Sequence, residues 1–180
     1  MFKWIFIIVS LAVGATTVYA EDAPVSFSSA YTHLSKECKW AYAEFELSEG
    51  QDNALLCKGS GKYQIYIYFS AISSFLSIRL KNDPDTAVFD SAIGGIDEKK
   101  GVVEWRMANG IPFAIIVRSR EYASREEGAK LLKESMVVRG LGQYSKISGI
   151  VQASKNVQAN EQARKLADDG FNKKPHPANR

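Results

Sequence analysis

The sequence predicts a mainly β fold: an antiparallel sandwich or small open barrel with one C-terminal helix. Short runs rich in β-branched and aromatic residues outnumber helical patterns, and short turns join them. No strand alternates with a long helix, which argues against a parallel α/β sheet. Residues 101–122, GVVEWRMANGIPFAIIVRSREY, read as a hairpin closed by Asn109-Gly110. A two-residue turn of this kind needs positive φ at both positions, which Asn-Gly supplies at low steric cost.

That turn sets a register. Ala108 pairs with Ile111, Met107 with Pro112, Trp105 with Ala114 and Val103 with Ile116. Val103, Trp105, Met107, Pro112, Ala114 and Ile116 then share an apolar face, read as the core face. Val102, Glu104, Arg106, Phe113, Ile115 and Val117 form a mixed face, read as half covered. Glu104 and Arg106 read as an exposed ion pair on a solvated strand face, worth well under ~1 kcal/mol. Pro112 has no N–H for a ladder, so the hairpin tip is expected to extend beyond the sheet or lie at its edge.

Residues 1–20 have the parts of a secretory signal peptide: Lys3, an apolar run from Trp4 to Val13, and Val18-Tyr19-Ala20 before the cut. The run is short for a membrane span, and no later run is long enough. Cleavage leaves 160 of 180 residues, enough for one domain with a real core, and takes the net charge from +3 to +2 by removing Lys3. The expected compartment is the periplasm, or the medium. Near-neutral charge without a basic stripe gives no support for nucleic-acid binding. Cys38 and Cys57 both lie in the exported part, and an even count in an oxidising compartment points to a disulfide. The chain has only two histidines, His33 and His176, so a zinc cluster is not expected, nor is any other metal or cofactor.

Residues 21–30 read as a flexible arm and 31–170 as a single β-rich domain. Residues 31–50 fit either a helix through Leu34, Trp40 and Phe45 or a loop followed by a strand at 40–47; alternation favours the strand. Strands are expected at 54–58, 63–70 and 75–81. Tyr63, Ile65, Ile67 and Phe69 line one face of the second, and Leu76, Ile78 and Leu80 point inward from the third. Residues 82–85 read as a turn cluster and 86–96 as mostly loop. Ser124-Arg125-Glu126-Glu127 resembles a capping box opening one or two helical turns. Two more strands follow at 136–141 and 147–153. Residues 156–170 form the best helix, with Val157, Ala163, Leu166 and Ala167 at helical spacing and Gly170 as its stop. The tail 171–180 reads as disordered.

Chemistry-bearing patterns are sparse. Asp90, Asp97, Glu98 and Glu104 show no spacing that makes an acid–base pair, and no G-x-S-x-G elbow is present. Gly59-Ser60-Gly61-Lys62 lacks the spacing of a phosphate loop. Tyr66 and Tyr68, with Arg79 and Lys81 on the neighbouring strand, are a candidate binding patch, since Tyr and Arg suit interfaces; the same residues also fit a second buried face. These features make an enzyme the weaker expectation.

The chain resembles a functionally uncharacterised family of small exported alphaproteobacterial proteins. The matching pieces are YTHLSKECKW, CKGSGKYQIYI, VVEWRMANGIPFAIIVR, MVVRGLG and NVQANEQARKLAD, which span most of the mature chain. The resemblance implies export, a Cys38–Cys57 bridge and a β-rich fold. Members often carry a second cysteine pair, where this sequence has Lys146 and Lys173. The chain is also distantly similar to periplasmic lysozyme inhibitors, whose recognition loop contains Ser-Gly-x-x-Tyr. Here Ser60-Gly61-Lys62-Tyr63 is one residue shorter. The expected function is a non-enzymatic periplasmic β-domain that binds a protein or a cell-envelope glycan. An inhibitor of lysozyme-type hydrolases and a hydrolase of unknown substrate are the alternatives.

Overall fold

The computed structural model describes residues 24–41, 54–69, 74–88, 93–97, 99–123 and 130–173. The expected signal peptide, the expected capping box, residues 42–50 of the 31–50 stretch and residues 174–180 lie outside these. The fold is mainly β, with two antiparallel sheets and a C-terminal helix, as the sequence predicts. The chain enters through β1 (Phe27–His33), turns once in α1 (Leu34–Glu37) and continues into β2 (Cys38–Trp40) and β3 (Ala54–Cys57). Then come β4 (Tyr63–Phe69), β5 (Ser74–Leu80), β6 (Asp83–Ala87) and β7 (Ile93–Gly94). The central hairpin is β8 (Val102–Ala108) and β9 (Ile111–Tyr122), followed by β10 (Leu131–Gly140), β11 (Ser148–Gln152) and α2 (Ala159–Asn172).

One sheet has the order β1-β8-β9-β10-β11; the other runs β2-β3-β4-β5-β6, with β7 also on β5. Three layers result. Tyr63, Ile65, Ile67, Leu76 and Ile78 of the second sheet pack on Val103, Trp105, Ile115, Val117 and Val137 of the first. The opposite face of the first sheet buries Ala114, Ile116, Met136 and Val138 beneath α2. A polar link ties the sheets: Trp105 Nε1 donates to Thr32 Oγ1 at 3.0 Å, and that hydroxyl donates to the Lys58 carbonyl at 2.9 Å. Thr32 is 2 % exposed, so both bonds are sheltered from water.

Asn109 and Gly110 have φ of 49° and 78°, the positive pair their turn demands. Ala108 pairs with Ile111 and Met107 with Pro112, as expected. Beyond that the register differs. Arg106 pairs with Ala114, Trp105 with Ile115 and Val103 with Val117, because a bulge leaves Phe113 as an extra residue on β9. Ile115 and Val117 therefore face the other sheet. Ala114 and Ile116, placed on the core face from the sequence, turn to α2 instead. Strand β9 is buried on both faces. Pro112 sits where the tip runs past β10, whose ladder ends at Gly140–Ala114, so its missing N–H costs no ladder bond.

The bulged Phe113 centres an aromatic cluster. Its ring lies 4.8 Å from Phe171, 5.7 Å from Tyr144 and 5.8 Å from Phe27. Such pairs are worth about 0.5–1.5 kcal/mol each beyond their burial. Helix α2 seats on this face through Ala159, Ala163, Ala167 and Phe171, one stripe at i, i+4 spacing. It continues through Gly170, which was expected to stop it, and takes in Phe171, which was expected in the tail. Gly170 is a site of close approach: a Cβ there would lie 2.9 Å from Ile147 Cγ1. Val157 precedes the helix and is 98 % exposed.

Glu104 and Arg106 do not pair with each other on a solvated face. Arg164 forks Glu104, with Nε at 2.6 Å and Nη2 at 3.1 Å from its two oxygens. Arg106 forks Asp168 at 2.7 and 2.6 Å. Ser29 Oγ joins them, donating to Glu104 at 2.5 Å and accepting from Arg106 at 3.0 Å. The match is geometric: two residues of strand advance about 6.6 Å and four of helix about 6 Å. Glu104/Arg106 and Arg164/Asp168 therefore align when strand and helix run in the same direction.

Other boundaries shift modestly. The arm joins β1 from Phe27 onward. Residues 82–85 are not one turn cluster: the turn is Lys81-Asn82, and Asp83 opens β6 opposite Leu80. Strand β10 begins at Leu131, earlier than expected. Two stability measurements probe this packing. Arg164→Ala leaves the Glu104 carboxylate, 7 % exposed, without its fork; urea unfolding should show a loss of about 2 kcal/mol, below the value for a fully buried pair because Arg164 is partly solvated. Gly170→Ala should cost about 1 kcal/mol by overpacking despite alanine's better helix propensity, and should become stabilising in an Ile147→Ala background.

Candidate functional site

The cysteines are paired. Cys38 and Cys57 stand opposite each other on β2 and β3 and are joined by a disulfide, so neither is a free nucleophile or ligand. His33 is exposed at the end of β1. Of the carboxylates considered, Glu104 is held by Arg164, and Asp97 accepts from the backbone N–H groups of Lys99 and Lys100 at 3.0 Å. Asp90 and Glu98 lie outside the described residues.

Three members of the Tyr/Arg patch come together. The Tyr66 and Tyr68 rings stack 6.1 Å apart at 13°, and the Arg79 guanidinium lies 5.4 and 5.3 Å from their centroids. Alternation puts all three on one face of β4 and β5. Tyr66 is buried, and Arg79 donates to the Pro84 carbonyl at 2.6 Å. The patch is thus an internally bonded stack. Lys81 belongs elsewhere: its Nζ donates to the Gly61 carbonyl at 2.7 Å.

That bond ties Lys81 to the other candidate loop. Ser60, Gly61, Lys62 and Tyr63 form a tight turn closed by Tyr63 N–H to the Ser60 carbonyl at 3.0 Å, with Gly61 and Lys62 exposed. The turn packs against the central hairpin tip: a Cβ on Gly61 would lie 3.2 Å from Pro112 Cγ. Tyr63 is buried and its hydroxyl reaches toward Gly142, where a Cβ would lie 3.0 Å away. Residues 61–63, the tip residues 110–112, and Leu141, Gln143 and Tyr144 line a groove of about 610 Å³. Ile111, 70 % exposed, stands at its rim. Burial raises the pKa of both Tyr63 and Tyr144, keeping the phenols neutral as hydrogen-bonding groups. The groove offers two aromatic rings, an apolar rim, one amide and one lysine. Its described lining contains no carboxylate or imidazole, so it is suited to binding rather than proton transfer.

The contributions of Ile111, Gln143 and Tyr144 were not legible beforehand. They enter only because the tip overshoots β10, and the Pro112 argument was the one signal for that overshoot. Comparison with known protein families, characterised proteins and solved structures finds no match.

On the other side of the first sheet, Glu134 bridges Arg118 and Arg120, each at 2.8 Å. Burial opposes its ionisation, but the two guanidinium groups outweigh that and hold its carboxyl below the usual range. A depressed carboxyl contributes stability that is full above the unfolded-state range and lost as pH falls through the folded value. Glu134→Gln should therefore lower Tm at pH 7, and the gap to wild type should close on acidification below the ordinary carboxylate range; a pH-independent gap would contradict the ion-pair origin.

Proposed function

We propose that the mature chain is a non-enzymatic periplasmic binding domain whose hairpin-tip groove takes a protein segment or a cell-envelope glycan. The groove carries this reading. It joins turns from both sheets, presents aromatic rings beside an exposed isoleucine, and has polar groups at its edges, the composition of a recognition surface. The disulfide fits an oxidising compartment, and among the described residues no helix is long and apolar enough to cross a membrane. The enzyme reading is weakened by carboxylates already committed to arginine or backbone partners.

Inhibition of a lysozyme-type hydrolase is the second reading, favoured by one observation: the 60–63 turn projects Gly61 and Lys62 into solvent beside the groove. One set of experiments addresses both. Oxidised mature protein is used to capture partners from periplasmic extract and cell-wall fragments, alongside Ile111→Asp and a Cys38→Ala/Cys57→Ala control. Capture by wild type that Ile111→Asp abolishes supports the groove; capture unaffected by Ile111→Asp rules it out. Lysozyme activity left untouched by excess protein disposes of the inhibitor reading.

A further inference from the structure

A second cavity, of about 230 Å³, opens where the N-terminal half of α2 overhangs the first sheet. Its floor is apolar: Val102, Ile116 and Met136, on the face that further along packs against the helix alanines. Its rim is cationic, with Arg118 and Arg120 from β9, Arg164 from α2, and Lys100. Arg118 and Arg120 follow Ile116 at two-residue steps and so share its face. Tyr31 on β1, Asn160 on α2, Gly101 and the Arg164-bound carboxylate of Glu104 complete the lining.

The three arginines are ion-paired, yet they keep N–H groups to spare. Arg164 is paired with Glu104, Arg118 with Glu134, and Arg120 with Glu134 and Asp97. Glu161, one turn before Arg164 on α2, adds a fourth negative charge near it, so the wider cluster is balanced; among the residues that line the cavity itself, four cations face one carboxylate, Glu104. Each guanidinium carries five N–H donors, more than these contacts use. Arg118 also donates to Asn160 Oδ1 at 3.3 Å, which holds its fork over the opening. Arg164 donates to the Tyr31 hydroxyl at 3.2 Å, so that hydroxyl keeps its own proton to give.

We propose that this cleft is a binding site for a small organic monocarboxylate. The excess of cationic groups in the lining favours an anion over a neutral ligand. The N–H groups that the arginines keep beyond these pairs can donate to carboxylate oxygens. The apolar floor takes an organic body, and the cavity of about 230 Å³ is far larger than the roughly 10–15 Å³ that one water needs. An inorganic ion would leave the floor unfilled. The site lies on the helix-covered face of the first sheet, so it is separate from the hairpin-tip groove and does not depend on that reading.

The test uses oxidised mature protein at pH 7 in low salt, titrated with benzoate, benzamide, acetate and inorganic phosphate while backbone and arginine side-chain NMR signals are followed. Benzoate should give saturable shifts at Arg118, Arg164 and Met136, with benzamide inert and acetate and phosphate weaker. Arg118→Gln should weaken benzoate on the order of tenfold, and Tyr31→Phe, which removes one exposed hydroxyl, should weaken it by a smaller factor with the fold intact. Ile111→Asp should change nothing. The proposal is overturned if benzoate does not bind at millimolar concentration, if benzamide or phosphate binds as tightly, or if the folded Arg118→Gln and Tyr31→Phe proteins bind benzoate as wild type does.

Discussion

The extra residue in β9 is the constraint on which the rest of the molecule depends. A strand without a bulge would keep Ala114 and Ile116 on the same face as Trp105. With Phe113 inserted, the strand presents Ile115 and Val117 to one layer and Ala114 and Ile116 to the other. Alternation along this apolar strand supplies both faces of a middle layer, and the bulge decides which pair meets the second sheet and which meets α2. Phe113 itself becomes the centre of the aromatic cluster that seats the end of the helix. Beyond it the tip runs past the end of the β10 ladder and lines the groove.

The bulge was invisible in the sequence for a plain reason. Phe113 to Val117 is apolar at every position, so a one-residue slip leaves the hydrophobic pattern unchanged. Register is readable only where polar and apolar residues alternate, as in β4 and β5, and there the predicted faces are the observed ones. The Asn109-Gly110 turn was readable because its backbone geometry restricts the residues it accepts. Turn residues flanking a short edge strand were less so: Asp83 and Pro84 satisfy the composition of a loop yet open β6, where an absent N–H does no harm.

Long-range chemistry was harder still. Glu104 and Arg106 carried no mark of their partners, because Arg164 and Asp168 lie about sixty residues away in sequence. The matched advance along strand and helix could have raised the pairing in advance, but only once α2 was assigned to that face. The Tyr66–Tyr68–Arg79 contact was legible from alternation on neighbouring strands. The bond that anchors Arg79 was not, since its Nη1 donates to the Pro84 carbonyl on the next strand. Lys81 shows the limit of face-sharing arguments: it lies just past the end of β5, and the turn carries it to Gly61.

The position of α2 in chain order has a further consequence. It is the last described element to leave the ribosome, yet it covers Ala114, Ile116, Met136 and Val138, all of which are made well before it. Until Phe171 emerges, the middle layer has one finished face and one bare apolar face. A chain that stops before Ala159 lacks α2 altogether and leaves Ala114, Ile116, Met136 and Val138 without their cover, open to water, chaperones and other copies of itself. Whether α2 has been made and docked is thereby signalled by the exposure of one sheet face, the kind of bare apolar surface that promotes aggregation of incomplete chains.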